Sequence, residues 1–313
     1  MAAIITENLV KDFNKIRAVD GLNLTVEQGG IFGFLGPNGA GKTTTIRMLT
    51  GIARPTAGRA IVAGVDLSDG GKVRSKIGYL PEEPAFYTWM SPLEYLDHVG
   101  RLFGLPAGER EARAKSLLEL VGLAEVGKRR IRGFSRGMRQ RLGMAQALVN
   151  RPSVLFLDEP VSALDPIGRK EVLDLIEGLR GQCTVFMSTH ILGDVERICD
   201  TVGIIDRGRV LVEANQAELL NRYTIPAFAL ECEPGSKAAF AKWIAGLRRF
   251  GWVSAVLVEG TSARVTVNDV DAARSVLLNE AAASGLPLRR YEVVTPTLED
   301  IFLRLVGEER RAQ

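Results

Sequence analysis

The feature that most constrains this chain is the run Gly-Pro-Asn-Gly-Ala-Gly-Lys-Thr at residues 36–43. The apolar segment Ile31–Leu35 precedes it at strand length, and the helical segment Thr43–Leu49 follows it, with Gly51 placed to end the helix. A G-x-x-x-x-G-K-[ST] pattern between a strand and a helix predicts a loop whose backbone N–H groups surround phosphate oxygens. A glycine-rich turn with a chance Lys-Thr is the alternative, and the flanking elements argue against it.

The residues of the predicted loop are expected to bind ATP. Lys42 is expected to reach the outer phosphates and to act in catalysis, and the Thr43 hydroxyl is expected to ligate a Mg²⁺ ion that bridges them. The sequence therefore predicts ATP and Mg²⁺ as cofactors. The other residues assigned to ATP binding here are Gly36, Pro37, Asn38, Gly39, Ala40, Gly41 and Thr44.

Two adjacent carboxylates follow a second apolar strand. The strand Val154–Leu157 ends in Asp158 and Glu159. Asp158 suits the metal, and Glu159 is expected to polarise the attacking water as a general base. Such a pair in isolation is usually a solvated strand end, but its combination with the upstream loop favours ATP hydrolysis.

Strands alternate with helices through most of the chain, which predicts an α/β fold with a largely parallel sheet covered on both faces. Short alternating segments between Ile4 and Asp66 predict an antiparallel β subdomain, and apolar residues at helical spacing predict a helical subdomain at about 88–150. Residues 1–221 are thus assigned to one P-loop NTPase domain. The later strands are expected at Val154–Leu157, Thr184–Met187 and Val202–Ile205.

The remainder, residues 222–313, predicts a separate α+β domain. Its order of strand, helix, strand, strand, helix and strand is that of ferredoxin-like domains, with a closing helix over Leu298–Val306. Because this part contains no cluster of catalytic residue types, a role in assembly or regulation is expected.

Composition narrows the classes of protein further. The 40 basic and 37 acidic side chains nearly cancel, which does not favour a nucleic-acid-binding surface, and the basic cluster Lys128–Arg132 is interpreted as a solvated face. No apolar stretch reaches the length of a membrane span, and the first residues do not resemble a secretory signal. Three well-separated cysteines, Cys183, Cys199 and Cys232, fit a reducing compartment and indicate a cytoplasmic protein.

Three further motifs carry a family resemblance. Ser135 and Gly137 precede an amphipathic helix, Asp165 closes the run Ser-Ala-Leu-Asp, and His190 follows a strand. Together with the phosphate loop and the two carboxylates, their order over residues 4–220 resembles ATPase subunits of ABC transporters. The chain is therefore expected to have the ABC ATPase fold.

The resemblance implies a homodimer that closes on two ATP molecules. Ser135 and Gly137 of one subunit would close over the ATP of the other, Asp165 would lie at the junction, and His190 would contact the terminal phosphate and the attacking water. Phe13 falls where the family stacks an aromatic ring on adenine. An ordinary helix N-cap for Ser135 and a core strand position for Phe13 remain the alternatives.

Four positions depart from the family pattern. Glu82 stands where a glutamine usually contacts the metal, and a carboxylate is able to ligate Mg²⁺ but adds negative charge near the phosphates. Arg136 replaces a glycine and Met138 a glutamine beside Ser135, and Phe13 replaces a tyrosine. The sequence does not predict how Glu82, Arg136 and Met138 change the rate of ATP hydrolysis.

The resemblance further implies a subunit that powers a separate membrane permease from the cytoplasm, at the inner face of the cell membrane. The run Thr295–Phe302 and the small C-terminal domain resemble those of drug- and antibiotic-resistance export ATPases, which predicts an exporter. The alternatives are a soluble ABC ATPase that acts on ribosomes or nucleic acid, and a nucleotide switch that does not hydrolyse ATP. No nucleic-acid partner is expected, and the transported substrate stays open.

Overall fold

The computed structural model describes residues 1–14, 16–162, 164–223, 226–294, 298–299 and 301–302. They form two compact units, Met1–Gln216 and Ala217–Gln313. The predicted division after residue 221 stays a prediction. Within the described ranges, no helix combines the length and the apolar character that crossing a bilayer requires.

Among its described residues, the first unit has ten strands and seven helices, and an eighth helix begins at its last residue. The strands are β1 (Ala2–Phe13), β2 (Ile16–Glu27), β3 (Ile31–Leu35), β4 (Ala57–Val62), β5 (Val65–Asp66), β6 (Ile77–Leu80), β7 (Val154–Asp158), β8 (Thr184–Thr189), β9 (Thr201–Asp206) and β10 (Arg209–Asn215). The helices are α1 (Lys42–Leu49), α2 (Gly70–Lys76), α3 (Pro92–Leu102), α4 (Ala107–Leu120), α5 (Arg136–Ala147), α6 (Pro166–Glu177), α7 (Leu192–Ile198) and α8 (Gln216–Tyr223).

A six-stranded sheet in the order β10-β9-β3-β8-β7-β6 forms the centre of the first unit. Strands β3, β7 and β8 are buried at every residue, as expected for parallel strands covered on both faces. The predicted parallel arrangement is confirmed for β3, β7, β8 and β9, and β6, which was not predicted as a strand, joins them in parallel. Strand β10 was not predicted either, and it pairs antiparallel with β9. Since the parallel strands share a direction, their carboxyl ends meet at one edge, where open α/β sheets bind ligands.

The antiparallel subdomain is a second, four-stranded sheet in the order β2-β1-β4-β5. Strand β2 alternates buried and exposed residues toward its end, since one face packs inward and the other faces solvent. Its apolar residues share one core cluster with Phe32, Phe34 and Phe156 of the central sheet. The two sheets of this unit therefore pack together through a continuous apolar layer.

The helical subdomain is an excursion between two neighbouring strands. The chain leaves the sheet at the end of β6, forms α3, α4 and α5, and returns as β7, which pairs directly with β6. Helix α3 begins at Ser91, whose side chain accepts a hydrogen bond from the Glu94 N–H while the Glu94 carboxylate accepts one from the Ser91 N–H, and Pro92 occupies the first turn. The predicted helical character of this segment is confirmed.

We expect Gly78→Ala to destabilise the first unit. A methyl group on Gly78 would lie 2.0 Å from the carbonyl oxygen of Ala147, so β6 and α5 would have to separate. Overpacking against backbone of this kind costs about 3 kcal/mol or more of unfolding free energy. Urea unfolding measures the loss. Gly71→Ala in α2 is the control, because a methyl group there meets no atom within 4 Å.

The second unit has the predicted ferredoxin-like fold. Its elements are β11 (Ala227–Cys232), α9 (Lys237–Gly246), β12 (Val253–Glu259), β13 (Ser262–Val267), α10 (Val270–Ser284) and β14 (Leu288–Val294). The strands form an antiparallel sheet in the order β12-β13-β11-β14, which is the split β-α-β arrangement. Most of the predicted closing helix Leu298–Val306 lies outside the described residues.

Candidate functional site

The loop between β3 and α1 is shaped to approach phosphate closely. Gly41 precedes the helix at φ 108°, and a methyl group there would lie 2.6 Å from the carbonyl oxygen of Ala18, so no residue other than glycine fits. The Lys42 Nζ donates hydrogen bonds to the carbonyl oxygens of Gly36 at 2.7 Å and Pro37 at 3.2 Å. The ammonium group is thereby held over the loop that the sequence predicts to bind phosphate.

Asp158 lies at the carboxyl end of β7 and is almost fully buried. Its Oδ1 accepts hydrogen bonds from the Thr43 hydroxyl at 3.1 Å and the Ser188 hydroxyl at 2.7 Å. Burial raises the pKa of Asp158, and these two hydrogen bonds oppose that shift. Two of the three predicted metal ligands, Thr43 and Asp158, are thus in direct contact.

Glu159 connects the loop lysine to the histidine. Its backbone is left-handed at φ 49°, and its N–H donates to the hydroxyl of Ser188 at 3.1 Å. Its Oε1 lies 3.3 Å from the Lys42 Nζ, and its Oε2 lies 2.9 Å from the His190 Nδ1. Because the Glu159 side chain is 8% exposed and that of His190 is 44% exposed, the carboxylate lies inside and the imidazole faces outward.

A cavity of about 390 Å³ connects these groups. Glu82, Glu159 and His190 line it together with residues of the loop, so Glu82, which departs from the family pattern, borders the same cavity as the loop. The remaining lining residues are Ala18, Asn38, Gly39, Gly41, Lys42, Thr43 and Thr44. Gly36 and Ala40 lie buried in the loop beneath it.

Six predicted ATP-binding residues lie outside this lining, namely Gly36, Pro37 and Ala40 within the loop and Phe13, Ser135 and Gly137 elsewhere. Phe13 ends β1 with 49% of its surface exposed, beneath the Lys11 ammonium at 4.9 Å from the ring centroid, so the alternative of a core phenylalanine does not hold. Ser135 is the N-cap of α5, where its hydroxyl accepts a hydrogen bond from the Met138 N–H at 3.3 Å. Ser135 and Gly137 do not border the described cavity of their own chain.

The residues present fit a magnesium ion. Within the described part of the chain, no group of three or more His, Cys, Asp and Glu side chains is arranged to hold a metal ion by itself. Mg²⁺ in nucleotide sites is commonly bound by one or two protein oxygens together with phosphates and waters. The buried carboxylate of Asp158, beside the Thr43 hydroxyl, supplies such a pair of hard oxygen ligands.

Sequence reasoning missed Ser188 and Ala18. Ser188 lies next to Asp158 in the paired strands β7 and β8, and its hydroxyl binds both the Asp158 carboxylate and the Glu159 N–H. A polar residue in an otherwise apolar strand was the available signal. Ala18 contributes its backbone to the wall beside Gly41, and its side-chain type gave no signal.

A phosphate loop, a carboxylate pair and a histidine at the carboxyl edge of one parallel sheet define the class of the protein, which is a P-loop ATPase. Two family models match the chain: the ABC transporter model over residues 19–162, and the model of the ATP-binding protein DrrA1-3-like C-terminal domain over residues 215–306.

Similar proteins cover almost the whole chain. The uncharacterized ABC transporter ATP-binding protein YxlF of Bacillus subtilis (strain 168) is 41% identical over 301 residues, or 96% of this chain and 98% of that protein. The daunorubicin resistance ATP-binding protein DrrA3 of Streptomyces coeruleorubidus is 35% identical and covers 99% of this chain and 98% of its own length. A solved ATP-binding subunit of an ABC transporter superposes with a TM-score of 0.65 at 28% identity, over 71% of this chain and 93% of that one. The chain belongs to the ABC transporter ATP-binding proteins.

Proposed function

We propose that the protein hydrolyses Mg-ATP with Glu159 as the base that orients and polarises the attacking water. The contact of Glu159 with both Lys42 and His190 carries this assignment. Lys42 neutralises the outer phosphates, and His190 holds the Glu159 carboxylate and contacts the terminal phosphate. Thr43, Asp158 and Glu82 would hold the Mg²⁺ ion, which supplies charge neutralisation of the phosphates when bound.

The proposed active enzyme is a homodimer. Ser135, which is exposed, and Gly137, which is half-buried, lie at the start of α5, and neither borders the cavity of its own chain. A helix N-terminus with free N–H groups favours an anion, so this element suits the ATP of a second copy. Arg136 adds a positive charge there, 3.8 Å from the Glu83 carboxylate. Each site is then complete only when two copies close on two ATP molecules.

A second cavity supports the proposed membrane partner. It has a volume of about 920 Å³, is bordered by α3 and the segment after β6 among other elements, and its lining includes the aromatic side chains Phe86, Tyr87, Tyr95 and Phe103. Leu102 at its border is 74% exposed. An exposed apolar groove of this size marks a protein interaction site, and we assign it to a cytoplasmic segment of a separate permease.

The proposed direction of transport is export. The relative DrrA3 is named for daunorubicin resistance, and the matched C-terminal domain model covers nearly all of the second unit. The protein then works in the cytoplasm at the inner face of the membrane, and its substrate is a drug or another small molecule that the permease recognises. No nucleic-acid partner is part of this proposal.

Phosphate release and membrane association test the proposal together. We expect the purified chain to release phosphate from Mg-ATP and to sediment with membranes when the permease is co-expressed. Hydrolysis without any membrane association in the presence of the permease would instead support the soluble ABC ATPase. Binding of ATP without phosphate release, with or without the permease, would support the nucleotide switch.

We expect Leu102→Arg to weaken binding to the permease without affecting the isolated enzyme. The arginine places a charge in the proposed apolar interface, and an interface charge of this kind costs roughly 2–4 kcal/mol, or at least about tenfold in recovery of the complex. Co-purification with tagged permease measures the effect, and ATP hydrolysis by the isolated chain should change less than about twofold. Leu120→Arg is the matched control, since Leu120 is 50% exposed in the same subdomain and does not line the groove.

A further inference from the structure

An ion pair between a half-buried arginine and a buried aspartate joins the two helices that follow the catalytic residues. Arg169 lies near the start of α6, and Asp194 lies in the first turn of α7. The Nε and Nη2 atoms of Arg169 lie 2.7 and 2.6 Å from the Oδ1 of Asp194. The Asp194 side chain is 1% exposed, so the pair is shielded from solvent on the carboxylate side.

Stability alone does not account for this pair. The second oxygen of Asp194, Oδ2, is buried and has no hydrogen-bond partner among the described residues. Burial raises the pKa of Asp194, which reflects the cost of keeping the carboxylate ionised there. A buried pair contributes little net stability even when every polar atom is satisfied, and an unsatisfied carboxylate oxygen adds a further cost.

The ion pair and the contact between Glu159 and His190 connect the same two chain segments at two points, which together form a closed ring. The chain runs from Glu159 to Arg169 through the start of α6, and from His190 to Asp194 through the start of α7. One end of the ring is the 2.9 Å contact between Glu159 and His190, and the other end is the ion pair. The orientation of His190 toward Glu159 therefore depends on where α7 begins relative to α6.

His190 has few other constraints. Its side chain is 44% exposed, and among the described residues it forms a side-chain hydrogen bond with Glu159. On the upstream side, the Thr189 hydroxyl accepts a hydrogen bond from the Ile191 N–H at 3.0 Å, which fixes the backbone at the end of β8. On the downstream side, Asp194 is the charged anchor of the first turn of α7.

We propose that Asp194, held by Arg169, is a positioning residue that sets the His190 imidazole against the Glu159 carboxylate. This inference rests on the proposed role of Glu159 and His190 in ATP hydrolysis. Groups that orient a catalytic side chain act on the chemical step, because displacements of about 1 Å lower the rate by up to about a hundredfold. Asp194 lies away from the nucleotide cavity, so nucleotide affinity should be largely preserved.

The experiment compares two ion pairs between the same helices. Asp194→Asn removes the charge of the buried pair and keeps its shape. The control, Asp174→Asn, removes the neighbouring pair of Asp174 with Arg197, whose side chains are 51% and 35% exposed. In the full-length protein we expect Asp194→Asn to lower kcat at least about tenfold with KM for ATP within about twofold, and Asp174→Asn to leave both within about twofold.

The histidine content of the chain provides a direct readout of position. The sequence contains two histidines, His98 and His190, so imidazole NMR signals are assigned with the single variant His98→Gln. We expect the His190 signals to shift in Asp194→Asn and to stay unchanged in Asp174→Asn. A purely structural role for the buried pair would lower the unfolding midpoint without moving these signals.

The outcomes separate this inference from the proposed function. If Asp194→Asn keeps kcat within about twofold and leaves the His190 signals in place, the positioning role is wrong. If Asp194→Asn does not fold, Arg169→Lys replaces it as the test, because it keeps the positive charge. We then expect a smaller loss of kcat and a shift of the His190 signals in the same direction. An unchanged kcat and an unchanged spectrum in Arg169→Lys would also overturn the inference. Full activity in Glu159→Gln would contradict the proposed function itself, whatever Asp194→Asn does.

Discussion

The variant Glu159→Gln is expected to lose steady-state ATP hydrolysis by at least about a hundredfold, since general-base catalysis contributes on the order of 10²- to 10⁴-fold. Glutamine has the same shape as glutamate but cannot accept a proton from the attacking water. Its amide still fits between Lys42 and His190, which lie 3.3 and 2.9 Å from the two carboxylate oxygens. ATP binding should therefore survive while the chemical step is lost.

The same variant should accumulate as an ATP-bound dimer. Since two copies are proposed to close on two ATP molecules before hydrolysis reopens them, a block after closure populates the closed state. Size-exclusion chromatography with light scattering in the presence of Mg-ATP measures this. Glu111→Gln serves as the control, because Glu111 forms an exposed pair with Lys115 on α4. Glu159→Gln protein that hydrolyses ATP at the wild-type rate would refute the assignment of the base.

The second large effect is expected from Lys42→Ala, which should weaken ATP binding by roughly tenfold to a hundredfold. A charge-assisted hydrogen bond contributes about 1.5–3 kcal/mol, and each 1.4 kcal/mol corresponds to a factor of ten in affinity. The Lys42 ammonium lies over the carbonyl oxygens of Gly36 and Pro37, where the loop is shaped for phosphate. Its loss also leaves the buried Glu159 carboxylate without its cationic neighbour.

Titration with a fluorescent ATP analogue measures this affinity, and thermal unfolding checks that the variant is folded. Lys72→Ala is the control, since Lys72 forms an exposed pair with Asp69 outside the cavity. An ATP affinity in Lys42→Ala within about threefold of wild type would exclude the predicted phosphate contact.

Local sequence patterns were sufficient to predict the functional side chains that lie together within one short motif. Residues 36–43 predict a phosphate-binding loop because the spaced glycines, the lysine and the threonine all lie within one short segment. The apolar run before Asp158 predicts a buried strand in the same local way. These local signals led to the α/β core, the helical subdomain and the ferredoxin-like second unit, all of which the structure contains. The phosphate loop, the two carboxylates and the histidine lie at one edge of the sheet because β3, β8 and β7 pair in parallel.

Contacts between distant segments could not be predicted in the same way. Strand β10 has mixed burial and pairs with β9 at an edge of the sheet, so its sequence gives a weak signal. Ser188 binds Asp158 across 30 residues of sequence, and Arg169 binds Asp194 across 25. Such pairs depend on strand register and helix placement, which composition and periodicity along one segment do not specify.

The position of the helical subdomain between β6 and β7 has an evolutionary consequence. Because the excursion starts and ends on paired neighbouring strands, its length and surface are able to vary while the edges of the sheet stay fixed. The α3 wall of the apolar groove and the N-terminus of α5 both lie on this excursion, whereas Lys42 and Glu159 lie outside it. A lineage is thereby free to adapt the α3 wall of the groove to a new membrane partner while Lys42, Glu159 and the start of α5, which act in the proposed ATP site, stay unchanged.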